Sequence, residues 1–285
     1  MSMQEKIGKS RVAYLKNSDD NIKNKDLNNL AYMLHDARTQ VRPIVQLSKQ
    51  GIELSRNEAY QVQEAGIRLR EKAGEVRVGL KMGLTSEGKR KQMNLDSPLY
   101  GELTDKMRVF AGDKINISVH IHSKIEPEIA FLIASELEGD VTREQVLNAT
   151  GAVCACLEIL DSRYDQFKYF SMEDVIADNS SSSHFVLGPW VKDFKNLDLR
   201  ELKMQMFVDG KVAQEALSSE ISGDPVVSVI ELCRLLALNG RKLKTGTFVL
   251  AGAATPAVPL KPGMQVELKV DQLPAVNVSA AGVKK

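Results

Sequence analysis

From about residue 76 onward the chain consists of short alternating runs: "VRVGLKMG", "KINISVHIH", "IEPEIAFLI", "GAVCACLEIL", "SHFVLG", "LKMQMFVDGKVA", "GTFVLAG" and "MQVELKV". Their period is two, and glycine, proline and Asp/Asn punctuate them, so this part of the chain is committed to sheets. Two helices interrupt the series. One follows "TREQ", where Thr142 and Gln145 form a capping-box pattern. The other follows "GDP", with Asp224 as cap, Pro225 at the first helical position, Val226, Ile230, Cys233 and Leu236 on one face, and Asn239-Gly240 as the stop.

Residues 1 to about 75 have a different texture. "DLNNLAYMLHDARTQV" spaces Leu27, Leu30, Leu34, Ala37 and Val41 at helical intervals until Pro43 disturbs the pattern. In "SRNE", Ser55 caps a second helix and Glu58 reaches back to it, followed by Ala59, Val62, Ala65 and Leu69, with Gly74 as the stop. The expectation is an α+β chain with a helical region at 1–75 and a β-rich region at 76–285, packed as one unit.

With 285 residues and 43% hydrophobic composition the chain can bury a large core. Its 38 basic and 37 acidic residues nearly cancel, which favours small molecules over nucleic acid or an anionic membrane as partners. The start "MSMQEKIGKS" lacks an apolar signal region, and no apolar run is long enough to span a bilayer, so the expected location is cytoplasmic. Cys154, Cys156 and Cys233 have neither a disulfide framework nor zinc-ligand spacing and read as buried thiols.

The chemistry concentrates in "KIEPEIAF". Glu126 and Glu128 lie two residues apart on a strand, so both carboxylates share one face, while Ile125, Ile129 and Phe131 share the other. Pro127 removes one ladder hydrogen bond and suggests an edge or a bulge. Glu158, in "CLEILDSR", is a third carboxylate amid apolar residues. Three carboxylates without suitably spaced His or Cys make an oxygen-only site suited to Mg²⁺ or Mn²⁺. The ordinary alternative is a solvent-facing strand edge, with Glu158 paired to Arg163 or Lys124. His120 and His122 offer a second metal reading, against which stands a role as surface or hydrogen-bonded residues.

Three further clusters are polar. "GLKMGLTS" sets Lys81 among glycines and small hydroxyls, as a cation for a carboxylate or enolate oxygen or as a solvated loop lysine. "DSRYDQFKYF" and "ADNSSSSHF" gather Asp161, Ser162, Arg163, Asp178, Asn179 and Ser180 to Ser183, either as donors to a substrate carboxylate or as turns held by their own side chains. "LAGAATPAVPL" centres Thr255 in a pocket wall or a tight turn. There is no G-x-S-x-G elbow, Walker loop or Rossmann glycine signature, so serine acyl transfer, NTP hydrolysis and nicotinamide chemistry lose support.

Taken in order, "GLKMGLTS", "SPLYG", "KIEPEIAF", "LEILDSRYDQFK", "IADNSSSSHFVLG" and "AGAATPAVPL" resemble the hydratase and decarboxylase branch of the fumarylacetoacetase-like family, over nearly the whole chain. The resemblance implies a mixed, mostly antiparallel β-roll of the fumarylacetoacetase C-terminal type with an N-terminal helical part. It also implies a magnesium or manganese ion, a 2-oxo-alkenoate substrate from catechol meta-cleavage, a homo-oligomer and association with a partner hydratase. By the matching motifs Glu126, Glu128 and Glu158 take the metal-ligand role and Lys81 faces the substrate; Lys81, Arg163 and Ser181 are the expected catalytic residues, and Lys81, Ser181 and Thr255 the expected substrate-binding ones. Arg163 either anchors a second substrate carboxylate or braces its loop.

Hydratases of the branch carry an acidic residue in a P-D-aromatic-G motif, whereas this chain reads Pro98-Leu99-Tyr100-Gly101. That departure favours the decarboxylase members, which convert 2-oxohex-3-enedioate to 2-hydroxypenta-2,4-dienoate or its keto form. Loss of CO₂ sends electrons through the alkene to the 2-oxo oxygen, where a divalent ion stabilises the charge. Hydration of 2-oxopent-4-enoate is the alternative, and it needs a base that a leucine at position 99 does not supply. A non-catalytic scaffold subunit is the second alternative, opposed by the intact Lys81 and glutamates.

Overall fold

The computed structural model describes residues 26–86, 97–167 and 171–282. The first 25 residues of the expected helical region therefore lie outside the described part.

Helix α1 (Leu27–Thr39) starts where the Asp26 side chain accepts from the amides of Asn28 and Asn29, and it buries Leu30, Ala31, Leu34 and Ala37. Val41, expected on the same stripe, lies past the helix end with a left-handed φ of 51°. Helix α2 (Arg56–Lys72) opens on the expected reciprocal cap between Ser55 and Glu58. Helices α3 (Arg143–Ala149), α4 (Met172–Ala177) and α5 (Pro225–Leu238) complete the set among the described residues. The capping patterns at Thr142 and Asp224 form as expected, whereas α4 has no counterpart in the sequence reading.

The strands are β1 (Arg77–Gly83), β2 (Leu99–Thr104), β3 (Lys114–Asn116), β4 (Lys124–Ile133), β5 (Thr150–Leu160) and β6 (Ser182–Leu187). They continue with β7 (Lys203–Val208), β8 (Lys211–Leu217), β9 (Phe248–Leu250), β10 (Val258–Pro259), β11 (Gln265–Val270) and β12 (Leu273–Ala281). One sheet runs β2-β1-β9-β4-β5-β6, with β10 also on β4; the other runs β3-β12-β11-β7-β8. Of the described strand pairs only β1–β9 and β3–β12 are parallel, so the sheets are mixed and mostly antiparallel. The β7–β8 hairpin turns through Asp209 and Gly210, both with positive φ, as its right-handed twist requires.

The β4–β5 ladder, from Lys124↔Leu160 to Ile133↔Thr150, is the spine of the larger sheet. Ile125, Ile129, Phe131, Val153, Ala155, Leu157 and Ile159 feed the main core on one face. On the other face, Ala130, Cys154 and Cys156 pack with Phe185, Leu187, Phe248 and Leu250. This second apolar cluster is the floor next to which the glutamates stand. All three cysteines are free and buried. Among the described residues no helix is long and apolar enough to cross a membrane.

Candidate metal centre and substrate cleft

Register brings the acidic residues together. Glu126 stands directly opposite Glu158, and Glu128 follows two residues along β4, opposite Cys156. Each offers a carboxylate oxygen within 4.8 Å of the others. Like charges directly across a ladder repel, and these are not solvated: Glu126 is 9% exposed, Glu128 and Glu158 0%. The strand-edge alternative is thereby excluded.

Pro127 also departs from expectation, because β4 is an interior strand. It pairs with β5 along one side, and on the other with β9 through Ala130–Leu132 and with β10 through Lys124 and Ile125. Between these two stretches the neighbour is a loop, whose Ala251 and Ala254 amides donate to Ile129 and Pro127 carbonyls at 3.0 and 3.2 Å. The proline's missing N–H faces that loop, so no regular ladder bond is lost.

The cation belonging to Glu158 is neither Arg163 nor Lys124. Lys81 projects from β1 with its Nζ 3.0 Å from Glu158 Oε2, and at 2% exposure it is no solvated loop lysine. Burial opposes its charge, but the Glu158, Glu126 and Glu128 carboxylates outweigh that and hold its pKa above the ordinary lysine value. For Glu128 the balance is reversed: burial, then Glu158 and Glu126, push its carboxyl well above the usual range. Burial likewise raises Glu158, against the pull of Lys81.

Glu128 is aimed by the backbone: the Gly252 N–H donates to its Oε2 at 2.7 Å. Gly252 has φ +102°, and a Cβ there would come within 2.5 Å of the Thr85 side chain, so only glycine delivers this amide. The sequence reading missed Gly252; the small-residue run "AGA" was its only signal.

Glu128 Oε1 and Glu158 Oε1 are buried without a hydrogen-bond partner. Unmet acceptors at such depth are costly. Among the described residues, three crowded carboxylates face the single buried ammonium of Lys81, an excess of negative charge that a divalent cation would offset. The donor set is all oxygen, the preference of Mg²⁺ and Mn²⁺. On these grounds the residues fit such an ion. Among the described residues no other group of three or more His, Cys, Asp or Glu converges in this way. The histidines are otherwise engaged: His120 Nδ1 lies 2.7 Å from Ser123 Oγ, and His122 Nε2 3.0 Å from the Tyr164 carbonyl.

A cleft of about 320 Å³ opens beside the glutamates, lined by Lys81, Thr85, Ser86, Lys124, Glu126, Phe167 and Ser180, among others. Three expected residues are not on its lining. Thr255 is buried, and its neighbours Ala253, Pro256 and Ala257 form the wall instead. Ser181 is turned into the protein, its carbonyl accepting from the Asp161 amide at 2.8 Å and its hydroxyl lying 3.4 Å from Asp178. Arg163 is spent on its own loop. Its Nε pairs with the Asp178 carboxylate, Nη1 donates to the Asp161 and Ser182 carbonyls at 2.7 and 3.0 Å, and Nη2 donates to the Asp178 carbonyl.

This network holds the tight segment Asn179–Ser181, in which three successive residues have φ of 51°, 54° and 55°. β2 makes room for it at Gly101, where a Cβ would lie 2.8 Å from the Asn179 carbonyl and 2.9 Å from Ser182 Oγ. Ser180 thereby reaches the cleft, and the Ser182 hydroxyl adjoins Glu158, helping to restrain the rise of its pKa. Two residues from Gly101, on the same face of β2 and opposite Gly83 of β1, stands the fully buried Leu99.

The family model for the fumarylacetoacetate (FAA) hydrolase C-terminal region matches residues 70–279. The chain belongs to the fumarylacetoacetate hydrolase family. Within this family it is 42% identical over 225 residues to a 4-oxalocrotonate decarboxylase from Pseudomonas sp, covering 79% of this chain and 87% of the relative. It is 34% identical over 248 residues to a 2-hydroxyhexa-2,4-dienoate hydratase from Comamonas testosteroni, covering 86% and 94%. Among solved structures it is similar to 4-oxalocrotonate decarboxylase from Pseudomonas putida G7 complexed with magnesium and adipate, with TM-score 0.86, 34% identity, and 90% and 97% of the two chains covered. The fumarylacetoacetate hydrolase fold thus extends over the larger sheet that carries the glutamates and Lys81.

Proposed function

We propose that this family member is a metal-dependent decarboxylase that converts 2-oxohex-3-enedioate (4-oxalocrotonate) to 2-hydroxypenta-2,4-dienoate or its keto form. The observation that carries the reading is one sheet face holding three buried carboxylates and a buried lysine; leucine at position 99, where by resemblance hydratases of the branch carry an acidic residue, favours decarboxylation over hydration. The likeness to 4-oxalocrotonate decarboxylases supports it.

Glu126, Glu128 and Glu158 would hold Mg²⁺ or Mn²⁺, which when bound supplies a Lewis acid for the oxygen that gains charge as CO₂ leaves. Lys81, kept protonated by the glutamates, favours negative charge on the 2-oxo acid end of the substrate. Met82, Leu160 and Val175 give the cleft an apolar wall, which limits water and strengthens both effects. Ser180 offers a hydroxyl from the strained turn, while Arg163 acts as its brace.

The helical region through residue 75 and the β-rich catalytic region from 76 work as one unit in this reading. Gln63 of α2 donates to the Tyr100 carbonyl at 3.0 Å, behind the strand that carries Leu99. A cytoplasmic homo-oligomer that hands its dienoate product to a partner hydratase completes the proposal.

Purified protein with Mg²⁺ and 2-oxohex-3-enedioate is expected to release CO₂ stoichiometrically without a partner hydratase. Hydration of 2-hydroxypentadienoate with no CO₂ release would instead establish the hydratase reading, which the Comamonas relative favours. Absence of metal-dependent turnover of either kind would leave a scaffold role.

A further inference from the structure

Of the described residues lining the cleft, two are cations, and they are placed differently. Lys81 is committed to Glu158. Lys124 begins β4 two residues before Glu126, so its side chain leaves the same strand face, two rises of about 3.3 Å from the first glutamate. It is half-buried, and its Nζ rests 4.0 Å from the centroid of the Phe167 ring. No carboxylate of the described residues lies within ion-pair distance of it. Burial lowers its pKa, against the pull of Glu126.

Extending the decarboxylase reading above, on which this inference rests, we propose that Lys124 is the specificity-determining residue that anchors the second carboxylate of a dicarboxylate 2-oxo acid. A six-carbon diacid with its 2-oxo acid end at the glutamates extends its other carboxylate about two strand rises away, the span that separates Glu126 from Lys124. The cation–π contact with Phe167 is weaker than a charge-assisted bond to a carboxylate. An arriving carboxylate therefore draws the ammonium off the ring. Arg163, the sequence-based candidate for this task, has its donors occupied by Asp178, Asp161 and Ser182.

The carboxylate held by Lys124 is the one that departs. The C5–C6 bond breaks, its electron pair forms the new C4=C5 alkene as the 3,4-alkene shifts to C2=C3 and charge reaches the 2-oxo oxygen, and C6 leaves as neutral CO₂. The attraction of Lys124 is thus greatest in the bound substrate and fades toward the transition state. Its loss therefore raises KM without lowering kcat.

Calorimetric titration of the Mg²⁺-loaded full chain with 2-oxoadipate and with 2-oxohexanoate, of equal length but one carboxylate fewer, tests the assignment. The parent is expected to prefer the diacid at least tenfold. Lys124→Met should abolish that preference while leaving monoacid affinity within twofold, Lys124→Arg should restore it, and the methionine variant should raise KM for 2-oxohex-3-enedioate about tenfold without lowering kcat. A methionine variant that keeps the preference, or that lowers kcat with KM unchanged, would overturn the proposal. If neither acid binds the parent, the decarboxylase reading falls and the Lys124 assignment with it.

Discussion

Two clusters of buried charge flank the end of β5, and they are built on opposite rules. Around Arg163 the account closes: the guanidinium is shared among Asp178, Asp161 and Ser182, and the Asp161 carboxylate accepts the Ile121 and His122 amides at 2.9 and 2.5 Å. Around Glu158 it stays open. Among the described residues Lys81 pairs with Glu158, and Glu128 Oε1 and Glu158 Oε1 meet no donor. Burial is common to both, so burial of charge does not identify a site. Convergence of buried carboxylates with unused acceptors is what separates the open cluster, since a network that serves only the fold is expected to satisfy its charged members.

The comparison predicts opposite outcomes for removing a charge from each cluster. Glu128→Gln keeps an oxygen for the Gly252 amide but deletes a ligand charge. Metal-dependent turnover should fall by about a thousandfold or more, equivalent to about 4 kcal/mol, and calorimetric Mg²⁺ affinity should fall with it. Thermal stability without added metal should hold or rise, because a carboxylate is removed from a site crowded by Glu126 and Glu158. Turnover near the parent level at saturating Mg²⁺ would refute the ligand assignment.

In the closed cluster the cost moves to the fold. Arg163→Met strands Asp178, whose carboxyl burial already pushes up to about 6 despite the arginine beside it. A loss of about 3 kcal/mol in urea unfolding at pH 7.5 is expected, the scale for a buried ion pair deprived of one partner. At pH 5.5 the deficit should shrink, because the stranded carboxyl can bind a proton. Unchanged stability combined with a selective rise in KM for dicarboxylates would return Arg163 to the substrate and displace Lys124.

How much of this was legible in the sequence follows from the range of the interactions. Caps act within three residues, so Ser55–Glu58, Thr142–Gln145 and Asp224–Pro225 could be read directly. The period of two placed Glu126 and Glu128 on one face, and the ordered motifs brought Glu158 and Lys81 to them. Register joins residues far apart in the chain, so the pairing of Glu126 with Glu158 could be implied only by resemblance. The serine run could not show that the left-handed turn at 179–181 sends Ser180 to the cleft and Ser181 inward. Strand β12 was missed because Pro274 and short polar residues dilute its alternation. Helix α4, with six residues, is too short for a helical period to show.

The smallest effect belongs beside the closed cluster, where β6 meets the loop that Asp161 pins. The His184 ring lies 4.9 Å from that of His120, and its Nδ1 is 2.9 Å from Ser183 Oγ. Burial first, then His120, Arg70 and Arg38, push its pKa down to about 3. An unfolded chain restores an ordinary histidine near 6.5. Between these values the unfolded state binds the extra proton, so stability is complete above pH 6.5 and is lost as pH falls. At pH 5 the loss reaches at most about 2 kcal/mol. His184→Gln removes that titration and leaves in place that of His120, which burial also holds low. Its urea-unfolding stability, compared with the parent at pH 7.5 and pH 5, should therefore decline less on acidification, while the Mg²⁺ affinity of the open cluster stays unchanged at pH 7.5. An equal decline in both proteins would assign the acid sensitivity to groups other than this histidine.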